Sequence, residues 1–571
     1  MSHPASPIAR HLFAGCALAL AAVVIPVRAP AQTPSATTPA AASALDSADG
    51  KKILTVADYS RWRTIGDDHI SSDGRWVTYV FRFTNVTARD AKPELHILNL
   101  ETNQDIAIAN ASNGVFSSDG RWLAYEVDSQ PPRGGRGSRG AGASTTPGEP
   151  GGAAAEGRGG RADAPLHRIE LRELATGKTK VWHDMQSAAF SENSRDVLVR
   201  DRPAAGGGRG GRGGFGGGRG GSGAEPPSRG SDAIVFDLTS GRSQFIGSVA
   251  DAAFNRPGDL LAYTIDADVR DGNGLFVTDL ATGSTRALDN DGRIYSRLAW
   301  NDAGTGVAVL KGSPVPKMLE RDNMLLVVAD VRAALANPAL APATLDSSAA
   351  GFTRDSVISD RAPLSWSADG ARVFFGTMPQ TPAADTVTRK STDSTADVDV
   401  WRTADRYIQS AQMIRANRDR NFTYREAFDV AAGRYVALSD STMRDLEISV
   451  DGRWGVGLDA RAYISDWKPA AADFYRVNLA TGQRTPMFKD QLTQGATFGI
   501  APDSRTFLYW KDGKYQAYDL DAGTSVTLGA GAPSFVNTEY DHPGPKPSWG
   551  VAGYTKDGTR VIVQDKYDLW T

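Results

Sequence analysis

Ser72-Asp-Gly-Arg-Trp-Val-Thr-Tyr79 decides the fold, because the same phrase returns along the chain. It recurs as Ser118-Asp-Gly-Arg-Trp-Leu-Ala-Tyr125, Ala368-Asp-Gly-Ala-Arg-Val-Phe-Phe375, Val450-Asp-Gly-Arg-Trp-Gly-Val456 and Lys556-Asp-Gly-Thr-Arg-Val-Ile-Val563. Looser copies begin at Glu192, Arg256, Asp302 and Pro502, which makes nine. Asp-Gly accommodates a turn of positive φ, and the residues behind it alternate large apolar with small or polar side chains. Each copy therefore reads as a hairpin turn leading into a half-buried strand.

A second phrase follows at a regular distance: strand, Asp or Asn, Leu, two residues closing on Gly, strand. It stands at Phe236-Asp-Leu-Thr-Ser-Gly241, Val277-Thr-Asp-Leu-Ala-Thr-Gly283, Val477-Asn-Leu-Ala-Thr-Gly482 and Tyr518-Asp-Leu-Asp-Ala-Gly523. Two hairpins per repeat make a four-stranded antiparallel sheet. The steps from Asp73 to Asp119 (46 residues), Asp451 to Asp503 (52) and Asp503 to Asp557 (54) suit one propeller blade each. The expected fold is all-β, a β-propeller of eight blades with seven as the alternative, since circular closure removes exposed sheet edges. The phrase at Lys556 is expected to open an incomplete last repeat, its closing strand supplied by the N-terminal segment or absent.

Longer intervals coincide with inserts. Two Gly/Arg-rich tracts, about 131–163 and 202–230, cannot bury enough apolar area to offset their ordering entropy and are expected to be disordered loops. In the widest gap, Trp401, Tyr407 or Ile408, Ala411 and Ile414 or Arg415 follow helical spacing, which predicts a short helical insertion over about 398–417. The propeller is expected to occupy 51–571.

Composition narrows the class. One Cys among 571 residues excludes a disulfide-stapled scaffold, and a formal charge of -3 hides unlike parts. Without Arg10, Arg28 and the two basic tracts the scaffold carries a charge near -12, which argues against a nucleic-acid-binding body. Arg10, an apolar run from His11 to Val27 and then Ala29-Pro-Ala31 read as a signal peptide over 1–31, with an uncleaved anchor as the alternative. Lipidation at Cys16 is the weaker reading because the apolar core follows that residue. Residues 32–50 read as a flexible linker. The expected location is periplasmic or extracellular.

Several segments together resemble a known family. The opening Leu54-Thr-Val-Ala-Asp-Tyr-Ser-Arg-Trp-Arg63, the hairpin Asp271-Gly-Asn-Gly-Leu-Phe276, the segment Val400-Trp-Arg to Gln412, and the closing Gly550-Val-Ala-Gly-Tyr-Thr-Lys-Asp-Gly558 with Gln564-Asp-Lys-Tyr-Asp-Leu-Trp570 resemble the N-terminal β-propeller of secreted bacterial prolyl oligopeptidase-family peptidases. The resemblance covers roughly 51–571. It implies a propeller that admits peptides to an α/β-hydrolase domain with a Ser-Asp-His site lying mainly C-terminal to it. That domain is the implied partner, and peptides are the implied substrates. No Gly-x-Ser-x-Gly elbow occurs in this sequence, and a hydrolase domain needs about 200–250 further residues. The chain alone is expected to be inactive. A stand-alone TolB-like periplasmic scaffold is the alternative.

No catalytic, cofactor-binding or metal-binding residue is assigned. His69, His96, His167, His183 and His542 are scattered, with no second His or Cys at ligand spacing. Asp266-Ala-Asp-Val-Arg-Asp-Gly-Asn-Gly274 has Arg270 where a calcium loop needs an oxygen ligand, so it reads as a turn. Trp76, Trp122 and Trp454 share one place after Asp-Gly-Arg and are expected to pack between sheets.

Overall fold

The computed structural model describes residues 54–571 apart from 88–90, 130–165, 202–229, 384–400, 404, 466–467 and 533. The expected signal peptide and linker, both Gly/Arg tracts and the start of the expected helical insertion lie outside the described residues. Two units are distinguished, 1–59 and 60–571. In the first, the Thr55 N–H and hydroxyl both donate to the Asp58 carboxylate at 2.9 Å.

In the second unit each of the nine phrases builds its own antiparallel repeat. The turn lies between the first and second strands, and the residue two before the Asp organises it. Ser71 Oγ donates to Asp73 Oδ1 (2.5 Å) and accepts from the Trp76 N–H (3.0 Å), while the Arg75 N–H donates to the same carboxylate oxygen (3.1 Å). Gly74 supplies a φ of 71°. The same pair of bonds recurs at Ser117, Ser191, Ser367, Ser449 and Thr555. Asn255 and Asn301 do the work by accepting from two N–H groups each. At Ala501 no hydroxyl exists, and the Asp503 carboxylate receives the Thr506 N–H and hydroxyl instead. Ser449→Ala removes both bonds and is expected to cost about 1–2 kcal/mol, read as a lower urea midpoint. An unchanged midpoint would show that Asp-Gly sets the turn alone.

The first strands are Arg63–Ile70, Ala111–Phe116, Met185–Phe190, the later half of Ser243–Phe254, Ile294–Trp300, Ser356–Ser359 with Ser365–Trp366, Asp445–Ile448, Thr497–Ile500 and Val551–Tyr554. Among the described residues seven repeats have four strands, the sixth has five because its first strand is in two pieces, and the ninth has three. Ser243–Phe254 serves twice, as the fourth strand of repeat 3 and the first of repeat 4, and so joins the two into one seven-stranded sheet. First strands of several successive repeats touch directly: 1 with 2, 2 with 3, 4 with 5, 5 with 6, and 7 with 8. They converge while later strands fan outward.

The turns also touch in series. The Asp119 N–H donates to Ser194 Oγ (3.0 Å), Asn193 Nδ2 to the Gly258 carbonyl (2.7 Å), Asn255 Nδ2 to the Gly304 carbonyl (3.1 Å) and the Asp451 N–H to Ser504 Oγ (3.1 Å). At Gly452, with φ 70°, a Cβ would lie 2.4 Å from the Cβ of Ser367 in the preceding turn, so only glycine allows that approach.

Eight hydrophobic clusters fill the eight interfaces between consecutive repeats. Leu310, Leu325, Ile358, Phe375 and Phe428 close the interface of repeats 5 and 6, and Val456, Phe474, Phe507 and Tyr518 that of 7 and 8. Trp76, Trp122 and Trp454 each pack against such a cluster. Radially arranged four-stranded sheets, packed face to face with converging first strands, define the architecture. The fold is a β-propeller.

Two helices depart from the sequence expectation. Helix α1, Val331–Ala336, was not foreseen; Asp330 caps it by accepting from the Ala333 N–H (2.9 Å). Helix α2, Gln409–Arg420, starts later and ends later than the expected 398–417. The spacing from Trp401 is broken because a turn intervenes, with the Asp405 N–H donating to the Arg402 carbonyl (3.1 Å). Arg418 and Arg420 then extend the last turn, where cations suit the helix dipole.

Candidate functional site

The converging first strands carry charge. Arg297 sits at a bulge in the first strand of repeat 5 with φ 63°, a conformation that turns its N–H toward repeat 4. That N–H donates to the Asp251 carboxylate (2.7 Å), and its guanidinium Nε donates to the Asp360 carbonyl of repeat 6 (2.5 Å). The Asp360 carboxylate pairs with Arg321, and Arg361 pairs with Glu320. A row of alternating charge thus ties the inner strands of repeats 4, 5 and 6.

The insertion continues the row. Helix α2 lies between the second and third strands of repeat 6, and Asn421 at its end accepts from Arg361. Arg444, opening the first strand of repeat 7, pairs with Asp419 of α2 at 3.4 Å and stacks over Phe422 at 3.9 Å. Met413 and Ile414 of α2 remain exposed.

Beside this contact lies a recess of about 370 Å³ between repeats 6, 7 and 8. Arg425, Arg444, Asp445 and Glu447 supply its polar wall, and Phe422 and Phe474 are among its apolar lining. Residue parity explains Arg425. In strand Tyr424–Asp429, Glu426 and Phe428 face the core toward repeat 5, while Arg425 and Ala427 face repeat 7. Water reaches Arg425, yet the surrounding protein lowers its pKa through burial and no carboxylate offsets the effect. Among the described residues its guanidinium has no hydrogen-bond or ion-pair partner. Glu447 is held on one side by the Ile500 N–H (2.8 Å), and burial raises its pKa.

The histidines do not gather. His96 is buried between Asp105 (2.9 Å) and Glu94 (3.0 Å) and stacks on Tyr79, whose hydroxyl donates to the same Asp105. His167 approaches Glu126 at 3.3 Å; His69, His183 and His542 are exposed. Among the described residues no group of three or more His, Cys, Asp or Glu can hold a metal ion, and no helix is long and apolar enough to cross a membrane. The Asp266–Gly274 segment joins two antiparallel strands, with Asn273 Oδ1 accepting from the Ala267 N–H (2.8 Å). Sequence reasoning missed the inner-strand charges and Arg425. Charged residues at alternate positions in the first strands, as in Asp445-Leu-Glu447, were the available signal.

No family model matches the chain. No curated protein matches it either. Solved structures do. The β-propeller domain of the trilobed protease from Pyrococcus furiosus is 11% identical over 75% of this chain and 99% of that one, with a TM-score of 0.28. A structure of prolyl endopeptidases is 11% identical with a TM-score of 0.32, matching 81% of this chain but only 56% of its own length. A eukaryotic initiation factor matches at 11% identity over 82% of this chain and 87% of that one, with a TM-score of 0.37. These likenesses include propeller domains of prolyl oligopeptidase-family peptidases and a protein of another kind. The fold assignment rests on the chain's own sheets and cores.

Proposed function

We propose that the chain is the propeller portion of a secreted prolyl oligopeptidase-like serine peptidase, gating the access of peptides to a C-terminal α/β-hydrolase domain. The observation that carries this reading is the contact of first strands from successive repeats, where Asp251, Arg297 and, in the break of repeat 6's first strand, Asp360 and Arg361 form one row of charge. A row of such groups suits an extended peptide, whose backbone groups need hydrogen-bonding partners. The order of the opening, hairpin, insertion and closing segments supports the same assignment. The chain itself supplies no nucleophile elbow, so chemistry belongs to the partner domain.

The test begins with the coding DNA beyond codon 571, where a frame containing Gly-x-Ser-x-Gly is expected. The complete product is then assayed with short chromogenic peptides and with the same sequence embedded in a folded protein. Hydrolysis of the short peptide alone, abolished by a serine-directed covalent inhibitor, is the expected result. A frame that ends without the motif would overturn the reading in favour of a stand-alone scaffold.

A further inference from the structure

We infer that the recess between repeats 6, 7 and 8 is a docking site for the terminal carboxylate of a short peptide, held by Arg425 with its neighbouring side chain seated against Phe422 and Phe474. The inference deepens the peptide-gating reading above by naming a part of the peptide and its place, but the binding itself needs no hydrolase.

Charge accounting identifies the ligand. Four charged groups face the recess, and two of them are engaged: Arg444 by Asp419 and by the Phe422 ring, Glu447 by the Ile500 N–H. Asp445 stands exposed on the same strand. Arg425 stands at the recess wall in reach of water, and among the described residues no anion pairs with its guanidinium. A guanidinium presents its donors in a planar fork that matches a carboxylate with two parallel hydrogen bonds, and this one has its fork untaken at the wall of a recess. The side chain is also ready without rearrangement. The Arg425 N–H donates to Ser439 Oγ (2.7 Å) and its carbonyl accepts from the Ser439 N–H (3.1 Å), which fixes the backbone from which it projects.

Size and lining set the rest. About 370 Å³ is at the small end of ligand cavities and takes one or two residues of a peptide. Phe474 is a buried floor shared with the core of repeats 7 and 8, and Phe422 is fixed by Tyr424 at 5.3 Å and by Arg444. An apolar or aromatic last side chain fits this floor.

The probes are the tripeptide Ala-Ala-Phe as free acid and as C-terminal amide, titrated calorimetrically into the full chain. Tighter binding of the acid by about tenfold or more is expected, the value of one charge-assisted pair. Arg425→Gln should remove that preference while leaving amide binding within about twofold, and Arg425→Lys should restore part of it. Since the guanidinium has no partner to lose, the melting curve of Arg425→Gln should match the parent; Arg505→Gln, in an exposed pair with Asp519, serves as the remote control. Equal binding of acid and amide, no binding of either, or an acid preference that survives Arg425→Gln would each overturn the assignment. Its failure with a hydrolase frame present would leave the gating reading standing, and its success without one would leave the site on a scaffold.

Discussion

Phe428→Ala is expected to lower stability by about 3–5 kcal/mol, the cost of deleting a fully buried phenyl ring and leaving a cavity behind it. Phe428 is wholly inaccessible and belongs to the cluster of Leu310, Leu325, Ile358 and Phe375 that closes the interface of repeats 5 and 6. Its neighbours on both sides are held by antiparallel ladders, so the space cannot collapse readily. Because each core is enclosed by two repeats only, the damage should be local. Hydrogen exchange should quicken in repeats 5 and 6 while the ladders of repeats 1 and 2 keep their protection. A loss under about 1 kcal/mol, or protection lost evenly along the chain, would contradict a core divided by interface.

Two residues earlier on the same face, Glu426 controls the response to pH. Burial raises its pKa to about 8, against the Leu438 N–H, which donates to it at 2.7 Å. The folded state therefore keeps a proton that the unfolded chain releases above the usual carboxylate range. Protons bound in the folded state exceed those bound in the unfolded state between pH 4.5 and about 8, so stability falls as pH rises through that window and levels off above it. The slope is at most about 1.4 kcal/mol per pH unit. Asp196, raised to about 6 by burial and by Asp237, and Glu447, also raised by burial, act with the same sign, so the Glu426 contribution is the difference between the parent and a variant that cannot titrate there. Glu426→Gln keeps an acceptor for Leu438 and removes the titration. Urea midpoints at pH 6, 7 and 8 should decline more steeply for the parent than for the variant, which gains on the parent by on the order of 2 kcal/mol across that range. Parallel declines would show that Glu426 is ionised in the fold at neutral pH.

The repeat was legible because its determinants are local. Gly74, Gly120 and Gly452 take positive φ within a few residues of the Ser and Asp that hold the turn, and a single strand's alternation marks which side is buried. What stayed hidden depends on residues far apart in sequence. The Asp251 to Arg297 bond spans 46 positions and needs a bulge to aim the N–H; no window along the chain contains both its partners and its geometry. Arg425 was equally invisible, since a lone Arg between Tyr424 and Glu426 looks like any strand residue until the neighbouring repeats are in place. Helix α2 was legible in kind but displaced, because spacing alone counted Trp401 as part of a helix that the Arg402–Asp405 turn excludes.

The strand Ser243–Phe254 restricts how the molecule can breathe. Parting two blades of a propeller ordinarily means separating side-chain faces, with no backbone bond broken. Between repeats 3 and 4 one strand runs through, its first part to Val249 pairing in repeat 3 and its last part from Val249 pairing in repeat 4, so opening there has to bend or break that strand's pairing. Those two blades are thus tied through backbone as well as through the side chains of their shared core. Separation of neighbouring blades should therefore be harder at this seam than at one closed by side chains alone.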